Sequence, residues 1–207
     1  MLSVQRCALP TSLCLLAAIA APDAAAQTAP MVLASPDFSN DGFLPLSAIN
    51  NITYNNANIC TVSGATGGDQ SPPLVWADVP PGTRTLALVL FDATASFTHW
   101  GIYDIPGRTR ELPANAGAPG ASPYGTQILD DGNVTGYYGP CPPPDYPPNR
   151  HRYVFTLYAL GTRLRPAGSA NYPTNAESLF QALIAAGAAS QILATATLTG
   201  LYTNTPH

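Results

Sequence analysis

The stretch "RTLALVLFDATASFTHWGIYDIP", Arg84–Pro106, decides the fold. Its first part, Arg84–Asp92, is an apolar run that ends in an acid. Its last part, His99–Pro106, is aromatic and β-branched and is closed by proline. Short runs of this kind, bounded by turn formers, predict strands. If the two form a hairpin, the six residues between Asp92 and His99 leave both side chains at one end of a sheet.

Working outward, "RYVFTLYALG" (Arg152–Gly161) and "SQILATATLTGLYT" (Ser190–Thr203) read as further strands, and "MVLASPDF" (Met31–Phe38) as an edge strand. One helix is predicted over Pro173–Gly187. Thr174 is its N-cap, Glu177 stands three residues on, Gly187 is the stop, and Leu179, Phe180, Leu183 and Ile184 form the apolar stripe. The segment Gly107–Arg150 shows little periodicity and reads as a long loop, a kind of element that is usually functional or mobile. The expectation is an all-β dominated domain with peripheral helices.

The chain has 207 residues, suited to one domain. Apolar residues make up 46%, enough for a core, and charged residues only 10%. With a net charge of -4 and eight scattered cations, no basic stripe is available to displace counterions from a polyphosphate. A nucleic-acid binder is therefore not expected.

The first 26 residues read as an export signal: Arg6, the short apolar run Ser12–Ala21, then small residues before a cut after Ala26. The run is too short to span a bilayer. The expectation is a mature domain over 27–207, exported to the periplasm or secreted, with no transmembrane segment. Cys7 and Cys14 leave with the signal, so Cys60 and Cys141 remain as an even pair in an oxidising compartment, and a disulfide between them is expected.

Three strand ends carry the candidate chemistry. Asp92 ends one strand, His99 begins the next, and His151 precedes a third. Should the third lie antiparallel to the first, all three side chains meet in one concavity. Two histidines and a carboxylate could bind a metal, although no Cys/His-rich spacing surrounds them. An Asp–His pair could activate a serine, although no Gly-x-Ser-x-Gly elbow is present. The third option is a small polar pocket for an anion, with Asp92 holding a histidine or meeting an ammonium group. The residue types fit this option best.

"GGDQSPPLVWADVPPGTRTLALVLFD" (Gly67–Asp92), "THWGIYDIP" (Thr98–Pro106) and "YYGPCPPPDYPPNRHRYVFTLYALG" (Tyr137–Gly161), in this order and spacing, resemble the phosphatidylethanolamine-binding protein family, in particular its bacterial Raf-kinase-inhibitor-like branch. The resemblance implies a large antiparallel sheet packed on a smaller one, and an anion pocket at one end of the large sheet. It implies ligand-binding roles for Asp92, His99, Gly139, Pro140, His151 and Tyr153, and it supports the Cys60–Cys141 bridge. The Pro-rich segment Gly139–Tyr153 then reads as one wall of the pocket. The chain departs from the family at "DATAS" (Asp92–Ser96), where the usual second aspartate is Thr94 and two prolines are lost. A shifted ligand preference and weaker affinity for a cationic headgroup are expected.

The expected ligand is a small anionic or zwitterionic group, phosphate or phosphoethanolamine in kind, with no catalytic residue, metal or cofactor assigned. The alternatives are an inhibitor of a protease or other protein target, and an acid–base or metal-assisted enzyme using the same pocket.

Overall fold

The structure, a computed structural model, describes residues 29–144, 147–169 and 173–204. The first 26 residues, read above as an export signal, and His207 lie outside the described residues. Eleven strands and one α-helix are laid out in chain order: β1 (Val32–Ala34), β2 (Gly42–Phe43), β3 (Thr53–Tyr54), β4 (Ala57–Asn58), β5 (Leu74–Ala77), β6 (Thr85–Asp92), β7 (Phe97–Pro106), β8 (Glu111–Leu112), β9 (Thr126–Gln127), β10 (His151–Leu160), α1 (Ala176–Ala188) and β11 (Ile192–Tyr202).

A six-stranded sheet has the order β2-β11-β10-β6-β7-β9, and its long neighbours pair antiparallel. β6 sits between β10 and β7, which is why its sequence is apolar without alternation: both of its faces are covered. Leu86, Leu88 and Leu90 face a core shared with the small sheet β1-β5-β8, through Leu33, Leu74 and Trp76. Ala87 and Val89 face the opposite core, under α1 through Leu179 and Leu183. The architecture is small sheet, large sheet, helix, an all-β dominated fold. Buried side chains of Leu size each contribute about 1.5–3 kcal/mol, so the two layers on β6 carry much of the stability.

β7 does not run evenly against β6. Leu90 pairs with Trp100 but Phe91 pairs with Thr98, so one extra residue, His99, is taken up there. A second irregularity falls between Leu86↔Ile105 and Leu88↔Ile102, where Asp104 has φ 57. These are β-bulges, which disturb alternation and re-aim side chains.

The helix differs from its expectation at both ends. The N-cap is Asn175, not Thr174, and the capping box closes on Ser178, not Glu177. The reason is tertiary: Leu129 N donates to Thr174 O and Leu129 bridges Asn175, which holds these residues extended until Ala176. Gly187 does not stop the helix. The helix ends in a Schellman motif, with Gln191 N donating to Ala186 O, Ser190 N to Gly187 O, and Ser190 in the left-handed region at φ 54. Ile184 is 63% exposed, and the buried stripe is Ala176, Leu179, Leu183 and Ala186.

The Gly107–Arg150 segment is built rather than structureless. β8 pairs with β5 and β9 with β7. Gln127 accepts from Trp100 Nε1 at 2.7 Å and donates to the carbonyls of Ala118 and Gly120, each at 2.8 Å. Tyr137 is buried and donates from its hydroxyl to Ala48 O. Both tryptophans are core residues: Trp76 Nε1 donates to Thr109 O, and Trp100 is fully buried.

Candidate ligand cleft

Three strand ends meet as the sequence suggested. Asp92 lies directly opposite Tyr153 across β6 and β10, and opposite Phe97 across β6 and β7. Residues two apart on a strand share a face, which puts His151 beside Tyr153. His99 follows Phe97 two residues on and shares its side, and the bulge turns Trp100 to that side as well. Regular pairing could not place His99 and Trp100 both toward the small-sheet side. The two imidazoles flank Tyr153, with ring centroids at 5.2 Å for His99 and 6.2 Å for His151. Phe97 lies against His99 at 4.7 Å.

Together these residues line a cleft of about 320 Å³ with Ile52, Tyr138, Pro142 and Pro143 on its other walls. Asp92 is 2% exposed and its oxygens are committed. Oδ2 accepts from His151 Nδ1 at 2.6 Å; Oδ1 accepts from the backbone N–H of Thr94 at 2.8 Å and Ala95 at 3.1 Å. Of the two roles open to Asp92, these bonds serve the first, orienting a histidine.

His99 Nδ1 donates to the Tyr138 carbonyl at 2.7 Å. A carbonyl only accepts, so the proton is on Nδ1 and Nε2 carries the lone pair of the neutral ring. Burial pushes the His99 pKa down, against the opposing pull of the Tyr138 carbonyl and Asp92. In His151 the Nδ1–H is likewise spent on a carboxylate. Both rings therefore offer the same atom, Nε2, for binding. Burial, reinforced by the Asp92 charge and a side-chain hydrogen bond to Asp92, pushes the Tyr153 hydroxyl well above the usual tyrosine range, so it stays protonated.

The walls are braced from outside. Cys60 and Cys141 form a disulfide, Asn204 Nδ2 donates to Pro142 O at 3.1 Å, and Tyr202 OH donates to Cys60 O at 2.9 Å. At the divergent "DATAS" turn, Thr94 Oγ1 accepts from Arg152 N at 3.0 Å and Ala93 N donates to Arg152 O at 2.9 Å. Side-chain bonds from Asp92 and Thr94 fix this wall where the family's prolines are absent.

Gly139 and Pro140 do not line the cleft. Gly139 N donates to Asp69 Oδ1 at 2.7 Å, and Pro140 O accepts from Asn50 N at 3.1 Å. A Cβ on Gly139 would stand 2.6 Å from Ala48 O, so the glycine serves the close approach of the 48–50 backbone. The sequence reading missed Phe97, Tyr138 and Gly132. Tyr138 acts through its carbonyl, which any residue type supplies. Asp131 Oδ2 accepts from Thr98 N at 2.7 Å and anchors the strand beside His99. Neighbouring Asp130 is 4% exposed, with Oδ2 unpartnered, and burial pushes its pKa up to about 6.

The trio does not form a metal cage, because Asp92 points its carboxylate at His151 Nδ1. Among the described residues no serine lines the cleft, and Cys141 is bridged.

A family model described as phosphatidylethanolamine-binding protein matches residues 34–203. The chain belongs to the phosphatidylethanolamine-binding protein family. Among its relatives, a UPF0098 protein of Aquifex aeolicus is 43% identical over 110 residues, 51% of this chain and 63% of that protein. The UPF0098 protein YbcL of Escherichia coli is 34% identical over 113 residues, 51% of this chain and 61% of that protein. The chain thus spans a little under two thirds of the length of these relatives. LppC of Mycobacterium tuberculosis, named as a lipoprotein, is 30% identical over 158 residues, 74% of this chain and 67% of that protein. The crystal structure of Escherichia coli YbcL superposes with a TM-score of 0.67 at 27% identity, over 84% of this chain and 99% of that one. Family and fold agree with the sequence resemblance: a large antiparallel sheet packed on a smaller one. Among the described residues no helix is long and apolar enough to cross a membrane.

Proposed function

We propose that this chain is an exported binding protein that holds a small oxyanion or phospholipid headgroup, phosphate or phosphoethanolamine in kind, between His99, His151 and Tyr153. One observation carries the reading: both imidazoles spend Nδ1 on fixed acceptors and leave Nε2 for one shared cleft. In the neutral ring Nε2 accepts, so the ligand brings a proton, as a monoprotonated phosphate does. In a protonated ring it donates to the anion. Ile52, Phe97, Pro142 and Pro143 give the apolar wall that the carbon part of a headgroup would cover.

The signal-like first 26 residues, the disulfide and the lipoprotein relative support export of a domain over 27–207 to the periplasm or outside the cell. The reading assigns no catalytic residue, metal or cofactor.

Calorimetry with phosphate and with phosphoethanolamine tests the proposal. Saturable binding is expected, weakened about tenfold or more in His99→Ala, the loss of one hydrogen bond to a charged group. Absence of binding for both ligands, or a His99→Ala protein that binds unchanged, overturns it.

A protein partner is the second reading, favoured by one feature. Ile52, Tyr54 and Ile59 are exposed on the β3–β4 hairpin, and Ile52 also lines the cleft. A panel of proteases, assayed with wild type and Tyr54→Ala, tests it; no inhibition at high protein concentration counts against an inhibitor.

A further inference from the structure

The far end of the large sheet carries a second concavity. It forms where β6 begins, β7 ends and β10 ends, and encloses about 350 Å³ lined by Arg84, Arg108, Arg163, Asp104, Gly107 and Thr85. All eight cations of the chain are arginines, and Arg84, Arg108, Arg110, Arg163 and Arg165 flank these strand ends. This concentration stands out in a chain of net charge -4.

The guanidiniums are unequally used. Arg110 spends Nη1 on the carbonyls of Gly107 and Thr109. Arg163 Nη1 stands 3.8 Å from Asp104 Oδ2. Among the described residues the Arg84 and Arg108 guanidiniums make no hydrogen bond or ion pair. The backbone that presents them is fixed: Arg84 N donates to Leu160 O at 2.8 Å, Gly107 N to Arg84 O at 3.1 Å, and Thr85 Oγ1 to Thr162 O at 2.7 Å.

Asp104 is delivered here by the second bulge of β7, in a left-handed conformation, with its Oδ1 buried and unpartnered. Bulges are over-represented beside binding sites, and the first bulge of the same strand delivers His99 to the opposite cleft. Three arginines less one carboxylate leave two positive charges. That matches a phosphate monoester, which is mostly a dianion above its second pKa of about 6. Guanidinium forks also fit its oxygens in pairs.

We infer that the Arg84–Arg108–Arg163 cleft is a second binding site, for a tetrahedral dianion of the phosphate class, at the end of the sheet opposite the histidines. It needs neither His99 nor His151, and so stands independently of the headgroup reading. The confined cleft and the acidic remainder of the surface select a compact dianion over a long polyanion.

Amide NMR of the full-length protein at pH 7.5 and constant ionic strength tests this, with inorganic phosphate and glycerol phosphate in separate titrations. Gly107 and Thr109 report the arginine cleft and Gly132 the histidine cleft. Saturable shifts at Gly107 are expected, weakened about tenfold or more in Arg84→Ala and in Arg108→Ala and within about twofold of wild type in Arg110→Ala. These arginines are exposed, and the rest of the spectrum verifies that each variant is folded. Phosphate alone binding assigns free phosphate, and glycerol phosphate binding as well assigns the ester. Shifts that chloride reproduces, that never saturate, or that survive both Arg84→Ala and Arg108→Ala overturn the site. So does equal weakening in Arg110→Ala.

Discussion

Asp92 Oδ2 accepts the Nδ1–H of His151 at 2.6 Å, joining two strand ends that lie 59 residues apart in sequence. The same carboxylate holds the following turn through the N–H groups of Thr94 and Ala95. Asp92 is thus an organiser of the cleft at three points.

Asp92→Ala leaves the buried His151 Nδ1–H and two turn amides without their acceptor. A loss of about 2–4 kcal/mol is expected from orphaned buried donors, measured by urea denaturation. Asp92→Asn keeps an oxygen acceptor for both turn amides and loses the one for His151, and is expected to lose about half as much.

Stability between pH 4 and 6.5 has two opposing contributions. Asp130 has its folded pKa raised to about 6 from 3.8, so the native state binds its proton more tightly. Its contribution is most favourable below pH 4 and is lost as pH rises through 6. His99 has its folded pKa lowered from 6.5, so its contribution is present above 6.5 and lost as pH falls. Asp130→Asn is expected to remove the first and leave the second. Wild type minus variant then declines by on the order of 1 kcal/mol from pH 4 to pH 6.5 and is flat above, by denaturation at each pH. A difference that does not change over that range contradicts the assignment.

Reduction of Cys60–Cys141 opens a loop with a sequence separation of 81. The chain-entropy model gives a loss of about 4–5 kcal/mol, read as a shift of the denaturation midpoint with reductant or in Cys60→Ser. Because Cys141 lines the cleft, ligand binding is expected to weaken under conditions where the protein is still folded.

Ser190 occupies the position of the helix-ending motif where glycine is usual, at φ 54. Ser190→Gly is expected to raise stability by about 0.5–1 kcal/mol, or roughly 1–4 °C in Tm for a domain of this size. Gly187→Ala, inside the helix, is expected to stabilise by a similar amount through propensity, since a Cβ there meets only Ile192 Cδ1 at 3.5 Å.

The long strands were legible because β6 is covered on both faces and β10 alternates, so burial is written into residue type. Two-residue strands such as β8 and β9 were not, because their pairing depends on partners remote in sequence. The helix start moved by one residue because Leu129 holds Thr174 and Asn175 extended, a contact with no local signature. In the cleft, Asp92, His99 and His151 were legible from strand ends and residue chemistry, and Tyr153 only from the resemblance. Tyr138 escaped because a carbonyl has no residue code. Gly139 was read toward the ligand, whereas the demand for a missing Cβ comes from Ala48 behind it.

β7 uses ten residues to run beside the eight of β6. Each surplus residue sits at its own end, one at His99 and one at Asp104. The strand therefore has two independent points at which its phase can be reset. Removing one residue at either end would turn over the side chains of that end alone and leave the shared core of Trp100 and Ile102 in step. One strand could in this way let its two ends be revised separately during divergence, with the hydrophobic middle untouched.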